Sequence, residues 1–227
     1  MLTFKPYVDR LCLGVSLGVE GNEREYEILV SEILSCTKCP LHTSRTKAVP
    51  GEGPLNASVM FVGEAPGRSE DLEGRPFVGS AGKLLNSLLS SIGVERGSVY
   101  ITNVVKCRPP GNREPSDEEV RACNGYLRRQ ISIIKPRVVV ALGRIAGRTL
   151  YEMAGLRWSS IRSARGRVVR VKLEGVDVML TVTYHPAAAL YNPGLREELE
   201  GDFREVIAPL IKGASVARKP TLEDFLR

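Results

Sequence analysis

Four short apolar runs limit most strongly what this chain can fold into. They are Ser58–Val62 (SVMFV), Val99–Thr102 (VYIT), Val138–Leu142 (VVVAL) and Val176–Thr183 (VDVMLTVT). Each is rich in β-branched residues and stops at a glycine or a polar residue, the pattern of a buried strand. Between the first two, Ala81–Ile92 sets Leu84, Leu85, Leu88, Leu89 and Ile92 on one helical face. Before the third, Ser116 and Glu119 form a capping box that opens a helix reaching Ile134. Val168–Leu173 joins the last run through Glu174-Gly175 as a hairpin, and Leu195–Ile211 reads as a closing helix. Strands alternating with helices imply an α/β fold, with a mostly parallel sheet covered on both faces and ligands beyond the carboxyl ends of the strands. The segments after Val62, Thr102, Leu142 and Thr183 are expected to converge there.

With 227 residues, 43% of them hydrophobic, the chain can bury one substantial core but not two. Residues 1–22 read as an extension that ends at a Gly21-Asn22 turn, followed by a helix over Glu23–Leu34. The expected catalytic domain covers 23–212 and a tail covers 213–227. No apolar run approaches the ~20 residues of a membrane span, and Met1–Arg10 lacks the apolar stretch of a secretory signal, so a soluble cytoplasmic protein is expected. The net charge of +6 favours polyanions without naming one.

Five cysteines in a reducing compartment point to metal ligation or simple burial rather than disulfides. Cys36 and Cys39 form a CxxC pair, with Cys107 and Cys123 far downstream. Four such thiolates can close around a tetrahedral zinc, with His42 as a substitute ligand, or around a [4Fe-4S] cluster. The alternative reading of Cys107 and Cys123 is as small buried side chains. Cys12, in the extension, is the expected non-ligand.

A second constellation follows the first apolar run: Gly63-Glu-Ala-Pro-Gly67, then Glu70 and Asp71, then Gly74-Arg-Pro-Phe77-Val-Gly79. Glycines at a strand exit let backbone approach a ligand, and the acids put carboxylates beside it, although a glycine-rich loop with solvated acids reads the same way. Phe77, in a polar loop, can serve as a stacking platform or as core. Asn103 ends the second run and His185-Pro186 the last. A planar amide matches the edge of a pyrimidine, yet each residue taken singly is more often a cap or a structural imidazole.

The series CTKCPLH, PGEGP, GEAPG with Glu70-Asp71, GRPFVGSAGKLL, YITNVVKCRPPGNR and YHPAAAL, in this order, closely resembles the family 4 uracil-DNA glycosylases. The resemblance runs from Leu34 to about Ile207. It implies a three-layer α/β/α sandwich with a central, mostly parallel sheet, and a structural [4Fe-4S] centre on Cys36, Cys39, Cys107 and Cys123. It further implies that uracil is flipped out of DNA, that Phe77 stacks on it, and that Asn103 reads its O4 and N3–H. His185 would stabilise the departing uracil anion through O2, backbone around Gly63, Glu64 and Ala65 would hold the base, and Glu64 or Glu70 would position water or balance the sugar charge. Ala65 and Gly67 depart from the residues that the best-studied glycosylase class has there, a water-activating Asp and a bulky ring. The loop after His185 departs as well, with Ala189 before Leu190, and Leu190 is the residue that it would offer as a duplex wedge.

In the tail, Leu222, Phe225 and Leu226 at one-turn spacing resemble the sliding-clamp-binding peptide of archaeal repair proteins; the same residues suit a terminal helix packed on the domain. Two further readings stand beside the main one. One is a family 5-like glycosylase with a broader range of deaminated bases, and the other is a non-catalytic, metal-stapled DNA-binding module.

Overall fold

In the computed structural model the described residues are 17–216, with side chains described over 21–213. Cys12, Leu222, Phe225 and Leu226 lie outside them.

The chain opens with helix α1 (Leu17–Leu34), whose Leu29 and Ile33 are fully buried. The turn expected at Gly21-Asn22 is absent, because α1 runs through both residues. Packing of the downstream face supplies the helix with a nucleus, and two residues of weak propensity then cost it little. Strand β1 (Val59–Gly63), helices α2 (Arg68–Glu73) and α3 (Ser80–Ser91), and strand β2 (Tyr100–Asn103) follow. Helix α4 (Asp117–Ile134) starts at the expected capping box: Glu119 N–H donates to Ser116 Oγ at 3.2 Å and Ser116 N–H to Glu119 Oε2 at 2.7 Å.

After β3 (Val138–Leu142) come two helices not foreseen in the sequence, α5 (Arg144–Met153) and the short α6 (Ile161–Ala164). The hairpin β4 (Val168–Leu173) and β5 (Val176–Thr183) turns at Glu174-Gly175, as expected. A single turn, α7 (Pro186–Ala189), leads to α8 (Pro193–Asp202), which passes through a π turn at Phe203–Ile207 into α9 (Ala208–Val216).

The five strands lie in the order β2-β1-β3-β5-β4, all parallel except β4. Strand alternation gives the sheet two apolar faces. Met60, Val62, Val139, Ala141, Leu180 and Val182 pack with α1, α4 and α5 on one side. Val59, Phe61, Ile101, Val138 and Val140 pack with α3, α8 and α9 on the other. The result is the expected three-layer α/β/α sandwich. Parallel pairing also fixes where chemistry can sit: Gly63 stands opposite Asn103 and Leu142 opposite Thr183, so four strands end on one edge.

Candidate active site

Gly63 is the residue on which the site is built. A methyl group placed there would lie 2.3 Å from Asn103 Oδ1 and 2.6 Å from Phe77 Cζ, so only glycine lets all three groups meet. Phe77 is held with φ +51°, a conformation that side chains rarely adopt. Gly82 of α3 makes room for it, since a methyl there would sit 1.9 Å from the Phe77 carbonyl oxygen. The buried Glu70 carboxylate ties down the same loop, accepting the backbone N–H groups of Gly67 at 3.1 Å, Val78 at 2.9 Å and Gly79 at 2.8 Å. Asp71, also buried, accepts from Thr46 N–H at 2.8 Å.

The Phe77 ring stacks on His185, with centroids 5.6 Å apart and planes inclined by 28°. His185 Nδ1 accepts the Ala187 N–H at 3.1 Å, and burial pushes the imidazole down to about 4, with Glu70 opposing weakly. The ring is therefore neutral near pH 7, with its proton on Nε2. Gly143 (φ +94°) admits the ring, because a methyl there would lie 2.9 Å from His185 Cβ.

Asn103 is 2% exposed, and its Oδ1 has no hydrogen-bond partner. Such an orphan costs on the order of 1–3 kcal/mol, which an incoming donor restores. Its backbone carbonyl accepts from Lys106 Nζ at 2.6 Å. Lys106 is fully buried and also donates to Thr102 Oγ1 and Gln130 Oε1, both at 2.7 Å.

Glu64, Ala65, Glu70, Phe77, Asn103 and His185 line one cavity of about 200 Å³. Gly63 is not among the lining residues and acts by letting Asn103 and Phe77 approach each other. Burial pushes the Glu64 carboxyl up to about 7, helped by Glu114 and opposed by Arg144. Asn112 and Arg113 close the cavity from the loop before α4. Neither carried a role in the sequence reading, although the Pro-Pro-Gly-Asn run around them is a plain loop signal. Of the strand ends expected to converge, the one after Leu142 contributes Gly143 behind His185 rather than a cavity wall. Leu190, 37% exposed, lies at the end of α7 and does not line the cavity; its neighbour Tyr191 is 91% exposed.

A second pocket, with only about 10 Å³ of free space, is lined by all four expected thiols, Cys36, Cys39, Cys107 and Cys123, together with His42, Arg45 and Lys106. Arg45 Nη1 donates to Cys107 Sγ at 3.1 Å and the Lys106 N–H to Cys123 Sγ at 3.3 Å. Burial pushes the Cys123 thiol up to about 11, a cost that a bound cationic centre removes. Among the described residues no group of three or more His, Cys, Asp or Glu side chains is placed to hold a single metal ion. His42 Nδ1 is 2.7 Å from the Cys39 carbonyl oxygen and is held there by it.

Residues 50–210 match the family model described as the uracil DNA glycosylase superfamily. The chain is 50% identical over 199 residues to a type-4 uracil-DNA glycosylase of Archaeoglobus fulgidus, covering 87% of this chain and 97% of that one. It is 55% identical over 171 residues to a type-4 uracil-DNA glycosylase of Pyrobaculum aerophilum, with 75% and 87% covered. A type-5 uracil-DNA glycosylase of the same organism is 33% identical over 200 residues, with 74% and 85% covered. The matched span holds the whole glycine-built cavity, and identity is highest toward relatives of one type; the chain belongs to the uracil-DNA glycosylase superfamily, among its type-4 members.

Proposed function

We propose that this protein is a uracil-DNA glycosylase, which hydrolyses the N-glycosidic bond of a uracil flipped out of DNA and so starts base excision repair. One observation carries the reading: the unpartnered Asn103 Oδ1 shares a cavity with the stacked pair Phe77 and His185. That oxygen accepts from uracil N3–H while the amide N–H reaches O4. Cytosine has an unprotonated N3 and an amino group in those places, so with the amide in the same orientation it leaves the orphan unsatisfied. Phe77 offers its face to the base, and flipping brings the glycosidic carbon within reach.

Cleavage places negative charge on the departing base, and the neutral His185 donates Nε2–H to O2 as that charge grows. Glu64 stands in the cavity with its carboxyl near neutrality, suited to orient water and to balance positive charge on the sugar. Glu70, whose oxygens are committed to three backbone N–H groups, positions the loop instead. The net charge of +6 favours the DNA backbone, and Leu190 with Tyr191 offers an apolar edge toward the duplex.

Cys36, Cys39, Cys107 and Cys123 would hold a [4Fe-4S] cluster. Four thiols from three separate segments line one pocket, the ligand set that such a cluster needs, and a tetrahedral zinc would take the same four. When bound it supplies a cross-link between the segment after α1, the loop after β2 and helix α4. Four irons per chain with brown absorption are expected, and a colourless zinc protein would overturn the assignment. For the tail, Leu222, Phe225 and Leu226 support a sliding-clamp peptide by spacing alone; deleting Lys219–Arg227 should abolish clamp binding while sparing excision.

The reading is tested by incubating the protein with oligonucleotides carrying one uracil, hypoxanthine, xanthine, thymine or cytosine, followed by alkali. Strand scission confined to uracil is expected. Equal scission at hypoxanthine or xanthine would favour a broad-range enzyme, and none at any base a binding module.

A further inference from the structure

We propose that Arg96 is the positioning residue for Phe77, setting the direction of the stacking ring by gripping both peptide groups that flank its Cα. The proposal rests on the uracil-binding reading of the cavity. Arg96 opens a 3-10 turn (Arg96–Ser98) just before β2, remote in sequence from the Phe77 loop, and its side chain is only 21% exposed.

Its guanidinium makes five hydrogen bonds, matching its five N–H groups. Nη2 donates to the Pro76 carbonyl at 2.6 Å and Nη1 to the Phe77 carbonyl at 3.1 Å. Nη1 also donates to Asn86 Oδ1 of α3 at 2.9 Å, while Nε and Nη2 fork onto Glu52 Oε1 at 2.9 and 2.7 Å. Glu52 is held in turn by Arg75. The guanidinium is thus anchored on the body of the fold before it reaches the loop.

The two carbonyls matter because of which bonds they constrain. The Pro76 carbonyl belongs to the peptide before the Phe77 Cα and the Phe77 carbonyl to the peptide after it. Fixing both planes fixes φ and ψ of Phe77 together. That residue sits at φ +51°, a basin disfavoured for a side chain bearing a Cβ, so a released loop relaxes away from it. Relaxation turns the ring from His185, now 5.6 Å away. Glu70 completes the clamp from the opposite polarity: it gathers the N–H groups of Val78 and Gly79, while Arg96 gathers the carbonyls of Pro76 and Phe77. A lysine ammonium cannot reproduce this planar fork, so Arg96→Lys keeps the charge beside Glu52 and loses the geometry.

The test is a double-mutant cycle read by inhibition with free uracil, using wild type, Arg96→Lys, Phe77→Ala and the double variant, with Tm recorded for each. Arg96→Lys is expected to weaken uracil inhibition about tenfold when Phe77 is present and less than twofold when it is absent. Equal weakening in both backgrounds, or a lowered Tm with unchanged inhibition, would overturn the proposal.

A second readout needs no activity. The chain has only two histidines, so the His185 ring protons are readily assigned, and stacking on Phe77 displaces their resonances. Arg96→Lys should shift them most of the way to their position in Phe77→Ala; an unchanged spectrum refutes the clamp. Wild-type protein that fails to excise uracil would sink the glycosylase reading, and the histidine spectrum would still judge Arg96.

Discussion

Nδ1 of His185 accepts the backbone N–H of Ala187 at 3.1 Å, and this one contact decides which nitrogen of the ring faces the substrate with a proton. Because burial holds the imidazole near 4, below its ordinary value, the neutral form, with its proton on Nε2, persists at every pH above about 5. Excision should show no inflection near 6.5 from this residue. His185→Ala should slow excision about 10²- to 10³-fold while leaving affinity for uracil-free DNA intact, as single-turnover and filter-binding measurements would report.

Glu64 has the opposite sign. Its carboxyl is raised to about 7, so the charged form dominates only above that value. The excision rate should climb through pH 7 and level off, and Glu64→Gln should remove the climb. The same shift makes the native state prefer the protonated acid, so stability falls as pH rises from the unfolded value near 4.5 to about 7. Thermal unfolding at pH 8 should therefore find Glu64→Gln more stable than wild type, a gain that vanishes at pH 4.

Gly63→Ala places a methyl 2.3 Å from Asn103 Oδ1 and 2.6 Å from the Phe77 ring, and both must retreat. Free-uracil affinity should drop tenfold or more. β1 is buried at every position, so some loss of Tm accompanies it. Retained affinity for uracil would show that the amide and ring do not act together.

Glu70→Gln puts an amide N–H against one of the three backbone N–H groups that the carboxylate now accepts. A loss of about 1–3 kcal/mol in stability is expected, with slower excision at all pH values. A change in the shape of the pH profile would instead make Glu70 a proton-transfer group.

The four parallel strands were legible because each is a short, mainly apolar run, and β4 because Val-rich sequence broken by Arg170 and Lys172 leads into the Glu174-Gly175 turn; β3, β4 and β5 have the bounds that the sequence suggests. Helix α5 was missed although Ile145, Ala146, Leu150 and Tyr151 share its buried face and Arg144, Arg148 and Glu152 lie outside it; at ten residues, with Gly147 and Thr149 inside the face, it is short and carries two weak helix formers. Gly147 lets the helix approach Trp158, a packing reason invisible along the chain. In the site, Phe77, Asn103 and His185 stood at segment ends where chemistry belongs. Arg96 and Lys106 did not, because both look like ordinary surface cations until the fold turns them inward onto carbonyls. Glu64 and Glu70 were indistinguishable as acids in one loop. Only their partners separate them: three N–H groups for one, a desolvated cavity for the other.

The most direct measurement is a crystal structure with DNA carrying a single 2′-fluoro-2′-deoxyuridine, whose glycosidic bond resists cleavage. The extruded base should lie against Phe77, with N3–H donating to Asn103 Oδ1 and O2 accepting from His185 Nε2. A base that remains in the helix, or one bound while Asn103 Oδ1 still lacks a partner, would contradict the account.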